Sequence, residues 1–210
     1  MIVITEYLKI LVALVAIVNP VGAIPIYVTL SAELAPAEQS RLPGVISLAV
    51  TVILLAALFG GDLILKLFGI TIDSFRVGGG ILLLIISISM LHGRISATKH
   101  TSEEIAESGE KGSVAIVPLS TPLLAGPGAI SSVILSSHRG AGVLHYTLIA
   151  ADILLLGLML WAVLRLTPWI SRNISLTGIN IFTRIMGLIL AAIAVEFIAN
   201  GLKGLFPVLA

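Results

Sequence analysis

Apolar residues run along the chain in stretches long enough to cross a hydrocarbon core of about 30 Å, for which a helix needs about 20 residues. They cover residues 7–30, 43–68, 75–91, 113–137, 143–169 and 182–207. None alternates apolar and polar with a period of two, and backbone groups in lipid must be satisfied within their own segment, so the pattern predicts helices and not a barrel. One stretch breaks the pattern. Residues 93–112 carry Glu103, Glu104, Glu107 and Glu110 among Arg94, Lys99 and Lys111. This composition predicts a solvated connector between two halves, 1–92 and 113–210, of three spans each. A regulatory or metal-holding role for His92, His100 and these glutamates is the other reading, and no ligand spacing supports it. The fold class expected is all-α: a polytopic membrane protein of six transmembrane helices.

The halves resemble each other. Gly22-Ala23-Ile24 recurs as Gly128-Ala129-Ile130, an offset of 106; Arg76-Val77-Gly78-Gly79-Gly80-Ile81-Leu82 recurs as Arg184-Ile185-Met186-Gly187-Leu188-Ile189-Leu190, an offset of 108. Short matches arise by chance in glycine-rich apolar sequence, but the near-constant offset points to duplication. Each copy has an odd number of spans, so the second enters the membrane from the opposite side, and the repeat is inverted. Secondary transporters recurrently use this plan, because two similar halves can exchange conformations about an axis in the membrane plane.

Five of the nine prolines fall in two windows at matching places, 19–25 in the first span and 118–128 in the fourth. Proline in a helix interior removes a donor and clashes with the preceding turn, at a cost of about 3 kcal/mol or more. Asn19 before Pro20, and Thr121 before Pro122, read as N-cap residues each followed by proline at the first helical position. Helices 1 and 4 are therefore expected to break within the membrane. A break aims free N–H groups and a positive dipole end into the gap and bares carbonyls that hold a cation. The alternative is a packing kink, common for Pro and Gly in transmembrane helices. On the first reading Asn19, Pro20, Gly22, Pro25, Thr121, Pro122, Gly126, Pro127 and Gly128 bind a small solute.

Composition agrees with the pattern and narrows the function. Apolar residues make up 58% and charged residues 11%, with a mean hydropathy of +1.14. Such a surface suits lipid and would aggregate in water. Net charge is +1 without a basic cluster, which excludes nucleic acid as a partner and leaves the bilayer and a small solute. There is no cysteine, hence no disulfide, thiolate metal site or cysteine nucleophile. Glu6 just before the first apolar stretch and Lys9 inside it, with no small-residue cleavage site before Asn19, mark it as a retained span. Lys and Arg counted over the loops place the N-terminus outside. No Ser-His-Asp grouping, phosphate-cradling loop or HExxH spacing occurs, and the histidines lie in loops or at helix ends, so an enzyme is not expected.

Charged residues at membrane depth are costly, and they face the bundle interior, pair or stay protonated. Glu196 in the sixth span and Asp152 in the fifth are each a coupling site for a proton or a structural hydrogen-bonding residue. Arg76 and Arg184 hold equivalent repeat positions; they snorkel to the interface, pair with Asp73 or Glu196, or cap a broken helix. Gly78, Gly79 and Gly80 are expected to let helices approach closely.

Three ordered motifs carry a resemblance over essentially the whole chain: Asn19-Pro20-Val21-Gly22-Ala23-Ile24-Pro25; Phe68-Gly69-Ile70 leading to Phe75-Arg76-Val77-Gly78-Gly79-Gly80-Ile81-Leu82; and Pro122-Leu123-Leu124-Ala125-Gly126-Pro127-Gly128-Ala129-Ile130. The chain resembles the MarC family of integral membrane proteins, with Tyr27 where phenylalanine is usual. The resemblance implies six helices in a bacterial or archaeal cytoplasmic membrane and kinship with transporters of small neutral amino acids, glycine and alanine. The expected activity is secondary transport driven by Na⁺ or H⁺; a passive channel and a non-transporting scaffold are the alternatives.

Overall fold

The computed structural model describes residues 2–32, 34–92, 124–206 and 208, with side chains omitted for residues 2–4 and 30. Among the described residues the chain forms eight helices: α1 (Ile2–Val18), α2 (Ile24–Ser31), α3 (Pro36–Leu67), α4 (Ile72–Leu91), α5 (Pro127–Ser137), α6 (Val143–Arg165), α7 (Thr167–Asn173) and α8 (Leu176–Leu205). Four of them, α3, α4, α6 and α8, are long and apolar enough to cross a membrane. The connector 93–112, together with Thr121 and Pro122, lies outside the described residues.

Local chemistry sets the helix ends. Pro36 occupies the first turn of α3, and Glu38 Oε2 accepts the Ala35 N–H at 3.3 Å. This start precedes the expected one at residue 43, because a proline seven residues into a long apolar helix is carried rather than terminating it. Pro43 is buried inside α3, and its carbonyl accepts the Ser47 hydroxyl at 2.7 Å. The far end of α3 closes on Gly69 at φ +65°, with Gly69 N–H bonded to Lys66 O and Ile70 N–H to Leu65 O. That left-handed stop is the reason for glycine in Phe68-Gly69-Ile70. Thr71 and Ser175 then cap α4 and α8 by accepting the N–H groups of Ser74 and Gly178, each at 3.2 Å. The fifth apolar stretch, read from sequence as one helix, divides at Leu166. Pro168 lies in the first turn of the new helix α7, where its missing donor costs least.

Helices joined by short turns are not the ones that pack most closely. The main partner of α3 is α6, and that of α4 is α8, while α5 wedges between them. The α4–α8 pair is antiparallel and built on glycine. A Cβ added at Gly80 would lie 3.0 Å from the Ala194 carbonyl and 2.7 Å from Ile198; at Gly187, 3.2 Å from the Ser87 carbonyl; at Gly201, 2.9 Å from the Asp73 carbonyl. Backbones this close need small residues on the shared face. Gly78 has open space around it, so the close approach to α8 falls to Gly80, while a Cβ at Gly79 would meet Ser131 of α5 at 3.0 Å. Leu14, Ile46, Leu54, Leu83, Leu135, Ile153 and Leu156 fill the interior, whereas Leu63, Leu67, Leu144, Leu158 and Leu188 point outward. Apolar side chains on both the inside and the outside of the bundle suit a protein whose surroundings are as apolar as its core.

Candidate functional site

The first proline window interrupts its helix. The N–H of Asn19 still reaches Val15 O at 2.8 Å, but its φ of +48° turns the chain out of the helix, and Pro20 to Ala23 form a turn. Asparagine tolerates this left-handed conformation better than most residues. Its Oδ1 accepts the Gly22 N–H at 3.2 Å, holding the turn. Asn19 and Pro20 are both buried. The new helix α2 begins at Ile24, so the initiating proline is Pro25 and not Pro20. The Asn19-Pro20 pair predicts a helix start at Asn19; the residue instead closes the first helix, because a residue at positive φ ends a right-handed helix. A Cβ at Gly22 would run into the Asn19 side chain and lie 3.0 Å from Thr183 Oγ1 of α8.

The described part of the second window starts α5. Gly126 is its N-cap residue in an extended conformation, and Pro127 follows. Ala129 and Ile130 N–H groups close onto the Gly126 carbonyl at 3.0 and 3.1 Å. Gly128 is buried: an added Cβ would lie 2.8 Å from Leu83, 3.2 Å from Ile86 and 3.6 Å from Ile17. Ile17 lies just before the Asn19 turn, so the break in the first span and the start of α5 lie together in the bundle interior. Nearly every residue of α5 after Pro127 is buried, Ser131, Ser132, Ser136 and Ser137 among them. Ser136 and Ser137 return their hydroxyls to the carbonyls of Ser132 and Ile134, each at 2.7 Å.

The four charged candidates separate. Arg76 pairs with Asp73 at 3.0 Å, the first of the partners expected for it. Arg184, nine residues into α8, is exposed, as is Glu196 on the same helix. Asp152 is half-buried on α6, and its Oδ2 is shielded from solvent without a hydrogen-bond partner among the described residues.

The short helices α2 and α5 are each tied at the C-terminal end by the long helix that follows. Gln39, in the first turn of α3, donates its amide to the Ser31 carbonyl at 2.8 Å and the Leu34 carbonyl at 3.0 Å. His145, in the first turn of α6, sets Nε2 3.0 Å from the Ser136 carbonyl, which can only accept, so Nε2 carries the proton. Its Nδ1 then takes the Tyr7 hydroxyl of α1 at 2.8 Å. Nearby, Phe59 stacks on Tyr146, and Asp62 pairs with both Lys66 and His138.

A model of the MarC family of integral membrane proteins matches residues 4–206. The chain belongs to the MarC family. It is 43% identical over 201 residues to the UPF0056 membrane protein YhcE of Escherichia coli, covering 96% of this chain and 94% of the relative. It is 37% identical over 199 residues to YvbG of Bacillus subtilis, covering 94% of each. It is 38% identical over 195 residues to MJ0972 of Methanocaldococcus jannaschii, covering 93% and 86%. No solved structure matches the chain.

In this MarC-family protein Gln39, His145 and the α5 serines are not among the residues that the sequence pattern singles out. The serines were visible as two Ser-Ser pairs inside an apolar run, 131–132 and 136–137. The sequence places His145 at a helix end and signals no further role for it. It does lie at a helix end, but at only 8% exposure with both ring nitrogens engaged. No sequence spacing signals that pairing, since Tyr7 and Ser136 come to it from separate helices.

Proposed function

We propose that this protein is a secondary transporter of small neutral amino acids of the glycine and alanine class, driven by H⁺ or Na⁺ in the cytoplasmic membrane, with its N-terminus outside. The observation that carries the reading is the meeting of the Asn19 turn with the first turn of α5. A helix break and a helix start from distant parts of the chain lie side by side in an apolar interior, where irregular backbone is tolerated only when it lines a cavity or is buried in protein. A half-helix N-terminus suits a carboxylate and unwound carbonyls suit an ammonium or a coupling cation. The small residues at both breaks fit a small ligand. Leu83, Ile86 and Ile17 pack around Gly128 in this conformation, so admitting a solute requires α5 to move against α1 and α4.

An inverted pair of three-helix repeats is part of the reading. It is supported by the packing of α3 on α6 and of α4 on α8, each pair being repeat counterparts. The two end ties add to it: Gln39 and His145 stand 106 positions apart, the same step that separates Gly22 from Gly128. Labelled glycine and alanine uptake into proteoliposomes, with an imposed H⁺ or Na⁺ gradient, tests the proposal. Saturable uptake that follows one gradient is expected. Flux indifferent to both gradients and without saturation would replace the reading with a passive channel, and no flux at all would replace it with a scaffold.

A further inference from the structure

Where α2 ends and α3 begins, a cavity of about 440 Å³ opens between α2, α3, the last turn of α6 and α7. That volume lies within the range of small-molecule sites, about 300–1,000 Å³. It is distinct from the paired helix breaks. Its wall includes Tyr27, Gln39, Ser40, Arg165, Thr167 and Ser171, and among the described residues Arg165 is the one charged side chain lining it.

The donors of this wall divide into spent and unspent. Ser40, Thr167 and Ser171 return their hydroxyls to the carbonyls of Ala37, Val163 and Thr167 on their own helical turns. Gln39 gives its amide to Ser31 and Leu34. Glu38, a carboxylate on the same turn of α3, is engaged by the Ala35 N–H. Arg165, by contrast, gives a single N–H to the Ser40 carbonyl at 3.2 Å and joins no ion pair among the described residues. A guanidinium has five donors in a planar fork shaped for an oxyanion, so most of its capacity is unused. Tyr27 is buried at 6% exposure, and its hydroxyl has no acceptor among the described residues.

We propose that this cavity is an oxyanion site, in which Arg165 anchors a carboxylate or phosphate group and the Tyr27 hydroxyl donates a second hydrogen bond. An uncompensated cation and an unspent hydroxyl from different helices, in one cavity with no lining carboxylate among the described residues, select for negative charge. The volume exceeds what a bare anion fills, so the group arrives attached to a larger body. Two sources share this chemistry: a carboxylate-bearing solute from the aqueous phase, and the phosphate of a phospholipid headgroup from the adjoining leaflet.

The test reads binding and needs no transport, so it stands or falls apart from the uptake experiment. Purified protein in a neutral detergent is titrated with acetate, with glycine and with dihexanoyl phosphatidylglycerol, while melting is followed against sodium chloride at matched ionic strength. Acetate or glycine raising the melting temperature beyond the chloride control assigns the soluble source; the short-chain lipid alone doing so assigns the headgroup. Either response should weaken about tenfold or more in Arg165→Gln. Tyr27→Phe, which keeps the ring in the wall, should weaken it several-fold while leaving the unliganded melting temperature near that of the parent. If Arg165→Gln does not fold, Arg165→Lys keeps the charge without the fork and should bind more weakly than the parent. A parent response no larger than chloride, or undiminished responses in the Arg165 and Tyr27 variants, would overturn the site.

Discussion

At the scale of single residues, Asn19 does two things that no other side chain in the turn can do together. It accepts a positive φ, and its Oδ1 holds the Gly22 N–H. Asn19→Ala loses both, with an expected cost of about 1–2 kcal/mol for each contribution. Asn19→Gly loses only the side-chain bond. Thermal unfolding in detergent should therefore rank parent, Asn19→Gly, Asn19→Ala, and equal melting of the two variants would contradict the left-handed turn. Two acidic residues that looked alike in the sequence also part company here. Glu196 is exposed on α8, whereas Asp152 hides one carboxylate oxygen without a partner among the described residues. A shielded, unpaired carboxyl at membrane depth is neutral or awaits a cation, so it is the better candidate for coupling. Asp152→Asn should abolish the gradient dependence of glycine uptake, while Glu196→Gln should leave uptake within about twofold of the parent, since surface substitutions change little. Depth in the helix was legible for both; which way each side chain faces was not.

At the scale of elements, the α4–α8 contact depends on chosen glycines and not on glycine content. Gly78 has nothing within reach of an added Cβ, while Gly187 would set one 2.9 Å from Met90 Cβ and 3.2 Å from the Ser87 carbonyl. Gly78→Ala should leave melting unchanged or slightly raise it, as alanine is the better helix former. Gly187→Val should lower stability by about 1–3 kcal/mol through overpacking against backbone that cannot retreat. The triplet Gly78-Gly79-Gly80 announced close packing in the sequence. Which member does the packing follows from the rotation of α4 against α8, a property of two helices together. The same holds for the fifth apolar stretch. Its length and hydropathy were plain, but the division at Leu166 comes from Pro168 entering the first turn of α7, where proline is tolerated and the old helix need not continue.

At the scale of the whole molecule, the two ends of the bundle differ. One holds the cavity beside Arg165 and Tyr27. The other is tied by Tyr7, His145 and the Ser136 carbonyl and covered by the Phe59–Tyr146 stack. Because the chain has no cysteine, single introduced cysteines report access directly. Ser31→Cys, in the cavity wall, should react with a membrane-impermeant maleimide, and Ser137→Cys, buried at 2% exposure, should be protected. Adding Tyr7→Phe and His145→Ala should raise labelling at Ser137→Cys several-fold by freeing the end of α5; unchanged labelling would show that the tie does not hold that end closed. The sequence by itself determined the solvent of this protein, its helical class, the family motifs and the break at Asn19, because hydropathy, proline and glycine act locally and are read off the chain in order. Only the tertiary structure decided that Ile17 meets Gly128, that His145 joins α1 to α5, and that Arg165 and Tyr27 share one cavity. Those pairings join residues far apart in the chain, and their geometry is set by how the helices turn and slide against one another, which no local pattern encodes.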